Sequence, residues 1–197
     1  MDARYKLKLR RRRENKTNFR KRLKLLISRK PRLVVRRSLN NIRVQVEDYT
    51  PKGDEVKAFA VSSELRKAGW KYSTDNLPAA YLTGLLCGVR AKNSGVKEAI
   101  LDLGLYAPLT GSRMFAALKG AIDGQLAIPA SAESFPKEDR IKGAHIAKYA
   151  SHLKKENPDE YKKRFSGYLK AGADPEKISA SFEEMKEKIK RGELSKL

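Results

Sequence analysis

The 197-residue sequence predicts an α/β fold: a mixed five-stranded sheet with flanking helices, a basic N-terminal arm and a helical C-terminal extension. Three observations predict it. Residues 42–49 alternate, with Ile42, Val44 and Val46 on one face and Arg43, Gln45 and Glu47 on the other, the period of a half-buried strand. Residues 32–37 and 56–61 are strand-like and join that segment through turn sequences, which makes an antiparallel meander. Further on, a strand, a helix and a strand follow one another over residues 98–128, a connection long enough for parallel pairing.

Each element has a local cause. Residues 1–17 read as an extended or disordered arm, because Arg10, Arg11, Arg12 and Arg13 repel one another. Residues 18–29 suit a short helix with Leu23, Leu26 and Ile27 on one face. Pro31 then enforces extended backbone. The Ser38-Leu39-Asn40-Asn41 turn uses the tolerance of Asn for left-handed backbone, and residues 51–54 (PKGD) make a second turn. After a loop, Asp75 or Asn76 can cap a helix with Pro78 in its first turn and Asn93-Ser94-Gly95 at its end. Residues 98–103 form a fourth strand. Thr110 or Ser112 caps the next helix, which stops at Gly124, and residues 126–128 make a fifth strand ended by Pro129. Residues 18–130 therefore form one α/β domain. Residues 137–156, 159–170 and 175–191 read as helices of an extension, residues 131–197, with thin apolar stripes that pack on the domain or on a partner. Asp174 caps the last helix and Pro175 opens it.

Charge is distributed unevenly along this framework. Residues 1–37 carry 17 Lys and Arg against only Asp2 and Glu14. Residues 38–133 carry 11 basic and 10 acidic groups, so most of the formal net charge of +21 belongs to the arm and first strand. Such a run calls for a polyanion, since each neutralised phosphate releases a counterion. Nucleic acid fits better than membrane. The arm has few large apolar residues, residue 2 is Asp2 and not a myristoylated Gly, and no apolar leader opens the chain. The most apolar stretch, residues 77–89, is too short to span a bilayer and contains Thr83, Gly84 and Gly88, so it reads as a buried helix. A soluble, intracellular RNA-binding protein is the expectation.

Catalytic signatures are missing. There is no phosphate-binding loop, dinucleotide glycine pattern or paired-His zinc motif. His145 and His152 lie about two helical turns apart, too far for one metal. Cys87, the single cysteine, sits between Leu86 and Gly88 and reads as a packed core thiol. Asp102, late in a strand, lacks partner carboxylates on the first strand, which offers Arg32, Arg36 and Arg37. It is expected to cap a loop or to pair with Arg113. Residues 109–113 (LTGSR) open a helix whose N–H groups suit a phosphate, though capping by Thr110 or Ser112 explains them as well. The arm's arginines match phosphate oxygens two at a time, and Tyr5 and Phe19 suit stacking on bases. The hairpin from Arg36 to Arg43 adds cations and amides at a turn. No catalytic residue, metal or cofactor is expected.

These residues also carry a resemblance. Residues 32–48 (RLVVRRSLNNIRVQVED) resemble the first hairpin of the universal large-subunit ribosomal protein family eighteen, and 79–91 (AAYLTGLLCGVRA), 95–103 (GVKEAILDL) and 120–129 (GAIDGQLAIP) continue it. The Gly69-Trp70 loop, the Tyr81-Leu82-Thr83-Gly84 helix and the helical tail look like the archaeal form. The resemblance implies a ribonuclease-H-like scaffold and a structural role. It implies binding of 5S rRNA and attachment of that RNA to the large-subunit rRNA at the central protuberance, beside neighbouring ribosomal proteins. No membrane contact and no homo-oligomer are expected. By position, it implies RNA contacts at Arg4, Lys6, Lys8, Arg10, Arg11, Arg12, Arg13, Lys16, Arg20, Lys21, Arg22, Arg36, Arg37, Asn40, Asn41 and Arg43.

Overall fold

The structure, a computed structural model, describes residues 6–194. It opens with one helical turn, α1 (Arg10–Arg13), and a short helix, α2 (Phe19–Ile27). The turn at α1 corrects the expectation of an extended arm there. Asn15 adopts left-handed backbone and folds the chain back, so that the Lys16 and Thr17 N–H groups donate to the Arg11 carbonyl at 2.9 and 3.3 Å. Arg11 Nε also donates to Thr17 Oγ1 at 2.8 Å. These local bonds offset the mutual repulsion of four arginines whose side chains point into water. Asn18 caps α2, accepting from the Lys21 N–H at 3.1 Å.

Strands β1 (Arg32–Arg37), β2 (Ile42–Thr50) and β3 (Gly53–Val61) form the expected meander, and β4 (Ile100–Asp102) adds in parallel beside β1, giving the order β3-β2-β1-β4. The sheet is mixed, but it has four strands and not five. Residues 126–128 make a single parallel bridge, Glu98 to Ala127. Gln125 is left-handed on one side, and Pro129 has no N–H on the other, so the ladder stops after one rung. Leu33, Val35, Ile42, Val44, Val46, Ala58 and Ala60 line one face of the sheet and belong to the core.

After β3, helix α3 (Ser62–Lys67) begins directly where a loop was expected. Glu64 Oε1 accepts from the Val61 N–H at 2.9 Å, and Leu65 is fully buried. Helix α4 (Leu77–Asn93) then starts as predicted, with Asn76 Oδ1 accepting from the Ala79 N–H at 2.9 Å and Pro78 in the first turn. Helix α5 (Arg113–Asp123) packs against it. Neither Thr110 nor Ser112 caps α5 by its side chain: Ser112 occupies the cap position, but its buried Oγ has no partner among the described residues. Both helices lie on the apolar face of the sheet. Their contact is very close. A methyl group added at Gly84 would come within 1.9 Å of the Ala117 carbonyl oxygen, and one at Gly120 within 2.1 Å of the Tyr81 carbonyl oxygen. Cys87 lies in this packing, fully buried, and burial pushes its thiol pKa up to about 12.

The C-terminal helices are more broken than their sequence suggested. The first divides into α6 (Glu138–Ile141) and α7 (Ala144–Glu156) at Gly143, which is left-handed and seated against Pro78 and Ile178. The second divides into α8 (Pro158–Arg164) and α9 (Ser166–Lys170), and the last, α10 (Ile178–Lys190), follows a short 3-10 turn at Pro175–Lys177 that Asp174 caps. The extension packs on the domain. Ile178, Phe182, Met185 and Ile189 of α10 join the same core as the sheet and α4, while Ala150, Leu153, Tyr161 and Phe165 form a small second cluster. Polar ties reinforce this: Tyr72 Oη donates to the Asp174 carbonyl at 2.9 Å, and Arg90 Nη2 to the Leu194 carbonyl at 2.9 Å. Among the described residues no helix is long and apolar enough to cross a membrane.

Candidate nucleic-acid interface

The face of the sheet away from α4 and α5 is polar, and the basic arm lies over it. Alternation along β1 and β2 puts Arg32, Val34 and Arg36 there opposite Glu47, Gln45 and Arg43. Parallel pairing brings Asp102 beside Val34. Arg32, only 2 % exposed, is the centre of this face. Its guanidinium reaches Asp102 Oδ2 at 2.8 Å, Asp54 Oδ2 at 2.8 Å and Glu47 Oε2 at 3.2 Å. Arg36 closes on the other Asp102 oxygen at 3.1 Å and donates to the Asp102 carbonyl at 2.6 Å. Arg22 of α2 holds the other Asp54 oxygen at 2.8 Å. Asp102 therefore pairs with Arg32 and Arg36, not with Arg113, whose guanidinium is bonded to Asp75.

This cluster places three carboxylates together where the sequence pointed to one. Arginine satisfies them: a fork that fits carboxylates two at a time lies at their centre. No group of acidic, His or Cys side chains suited to a metal occurs among the described residues. Glu47 is the least comfortable member. Burial, opposed by Arg32 and reinforced by the nearby Asp54, raises its pKa above the ordinary carboxylate value. The cluster was partly legible, since the 38–41 turn sets a register that puts Glu47 opposite Arg32. Asp54 could not be assigned, because a bulge at Val46/Glu47 shifts the β2–β3 register.

The structure sorts the expected RNA-binding residues into two groups. Lys6, Lys8, Arg12, Arg13, Arg20 and Lys21 are exposed and have no side-chain partner among the described residues. Arg10 and Lys16 are also exposed and share Glu14, at 3.8 and 2.9 Å, while Arg11 leans on Thr17. At the hairpin, Arg37 lies 5.1 Å over the Tyr106 ring and Arg43 lies 6.0 Å over that of Phe59, both with exposed side chains. Asn40 is exposed beside Leu39, itself 92 % exposed, and its carbonyl accepts from Thr74 Oγ1 at 2.6 Å. The second group is engaged within the fold. Arg22 and Arg36 serve the carboxylate cluster, and Asn41 Oδ1 accepts from Ser62 Oγ at 3.3 Å. Arg4 lies outside the described residues. His145 and His152 are exposed on α7, away from this face.

Tyr106 and Phe59 were missed by sequence reasoning. Tyr106 Oη donates to the Arg37 carbonyl at 2.9 Å, so one aromatic ring both braces the hairpin and carries an arginine. Gly104 sets the position of Arg36. It is left-handed, its N–H donates to Asp102 Oδ1 at 2.7 Å, and a methyl there would lie 2.8 Å from the Arg36 guanidinium carbon.

Comparison with known proteins fits this geometry. The family model described as ribosomal large subunit proteins 60S L5 and 50S L18 matches residues 3–97 and 91–131. That match takes in the arm, the whole sheet and both core helices. The chain belongs to this family of large-subunit ribosomal proteins. A curated relative, the large ribosomal subunit protein uL18 of the archaeon Thermofilum pendens, is 53% identical over 187 residues, covering 95% of each chain. The identity therefore extends through the C-terminal helices, beyond the family model. The family consists of structural constituents of the cytoplasmic ribosome and is not a class of enzymes.

Proposed function

We propose that this protein binds 5S rRNA and attaches it to the large-subunit rRNA at the central protuberance, next to other ribosomal proteins. The observation that carries the reading is the set of exposed cations Lys6, Lys8, Arg12, Arg13, Arg20 and Lys21, which have no side-chain partner among the described residues, together with the exposed Arg37 and Arg43 of the hairpin. Phosphate contacts of that kind fix register and orientation on an RNA, while the rigid hairpin supplies shape. Residues 1–17 act as the clamp, residues 18–130 as a ribonuclease-H-like scaffold, and residues 131–197 as a buttress. Contacts come from Arg4, Lys6, Lys8, Arg10–Arg13, Lys16, Arg20, Lys21, Arg37, Asn40 and Arg43. Arg22, Arg36 and Asn41 contribute chiefly by positioning the others.

Deleting residues 1–17 tests this directly. Affinity for 5S rRNA is expected to fall more than about tenfold. The slope of log affinity against log salt is expected to weaken by roughly 0.7–0.9 for each phosphate that is no longer neutralised. Filter binding across a salt series measures both. Undiminished binding at moderate salt would remove the arm from the mechanism.

A further inference from the structure

The arm does not lie flat on the sheet. Between α2 and the polar sheet face is a half-open chamber of about 890 Å³, within the roughly 300–1,000 Å³ range of clefts that take small organic ligands. Its wall chemistry is layered. Arg11, Lys16, Lys21 and Lys24 stand at the arm side. Phe19 enters from α2, and Tyr106 from the loop after β4. The sheet side carries Gln45, whose side-chain amide has no hydrogen bond among the described residues, next to the carboxylate of Glu47. Arg32 also lines it, and its buried Nε is without a partner among the described residues.

Each layer selects a part of the same ligand. Cations at the arm side attract phosphate. On the sheet side the carboxylates are balanced by Arg22, Arg32 and Arg36, so phosphate finds no excess of cations there, and Glu47 Oε1, which receives no hydrogen bond among the described residues, can accept from an N–H group. A free amide can both donate and accept, as the edge of a nucleobase requires. Phe19, and the face of Tyr106 that Arg37 does not cover, offer surfaces on which a base stacks. We propose that this chamber receives one unstacked nucleotide of the bound RNA, its base inserted towards Gln45 and Glu47 and its phosphate held by Lys16 of the arm and Lys21 and Lys24 of α2. The inference rests on the RNA-binding reading and adds to it a site that reads a base, where the arm alone reads only backbone. Arg22, paired with Asp54, then acts as the hinge pin that keeps the chamber open beneath α2.

Two measurements test it. In the unmodified protein bound to 5S rRNA, ultraviolet crosslinking with peptide mass spectrometry is expected to leave a nucleotide on the peptide bearing Phe19 or Tyr106. Separately, Gln45→Trp fills the chamber from the outward face of β2 without removing any cation. It is expected to weaken 5S rRNA binding by about tenfold, the scale of a single base stack, while changing the salt slope by no more than about one phosphate's worth. Parent-like binding by Gln45→Trp, together with crosslinks confined to peptides outside the chamber, overturns the proposal and leaves the RNA-binding reading standing. Failure of the unmodified protein to bind 5S rRNA at all would instead overturn that reading.

Discussion

Arg32 shows how much one side chain can decide. Its position in β1 looks like one more cation in a basic run, yet it is buried among Asp102, Asp54 and Glu47. A buried guanidinium is tolerable only while its partners remain, because an unpaired charge in the interior is far more costly than the pair is favourable. Asp102→Ala leaves Arg32 with two of its three carboxylates and Arg36 with backbone carbonyls alone. We expect it to lower unfolding stability by about 3–5 kcal/mol, measured by urea denaturation at neutral pH. A change below about 1 kcal/mol would mean that Glu47 and Asp54 suffice. Burial was the missing information here: the alternation of β1 assigns Arg32 to the polar face, but nothing in the alternation says that carboxylates of β2, β3 and β4 will surround it, with Arg22 of α2 reaching in beside them.

Among the elements, the α4–α5 pair fixes the geometry of the sheet's apolar face. The backbones approach so closely at Gly84 and Gly120 that the obstacle to a Cβ is a carbonyl oxygen of the opposite helix, not a movable side chain. Gly120→Ala therefore forces the helices apart. Overpacking of this kind costs about 1–3 kcal/mol, and a backbone obstacle puts this variant at the upper end. Thermal unfolding of Gly120→Ala beside an exposed control such as Gly167→Ala, whose added methyl meets nothing within 4 Å, isolates the effect. An equal response from both would show that helix propensity, not the crossing, governs. Helix α4 was predictable from its Asn76 cap and apolar content, and α5 from its apolar content and closing Gly124, its expected side-chain cap being absent. Their separation was not, since a helical glycine reads the same whether it faces a neighbour or water.

In the molecule taken as a whole, the C-terminal extension is part of the domain's core. Phe182 of α10 packs its ring against Tyr81 of α4 at a centroid distance of 5.4 Å and is 1 % exposed. Phe182→Ala is expected to cost about 3–5 kcal/mol. A single cooperative transition shifted as a unit would indicate one folding unit. Melting of only the C-terminal helices, with the sheet unaffected, would instead make the extension an independent module. Either result leaves the arm's exposed cations in place. RNA affinity extrapolated to fully folded protein is therefore expected to match the parent.

The meander, the existence of a fourth strand, both core helices and the basic arm follow from the order of the amino acids alone; that the fourth strand pairs with β1 does not. Each rests on local rules: alternation, turn residues, caps and the sign of charge. Packing between distant segments did the rest. It reduced the fifth strand to one bridge, placed three carboxylates around Arg32, tied up Arg22, Arg36 and Asn41, and left a chamber between arm and sheet. The physical reason is the same in each case. Whether a charged group is free to meet RNA or is held inside the fold depends on what lies opposite it, and the opposing residue comes from a segment far away along the chain.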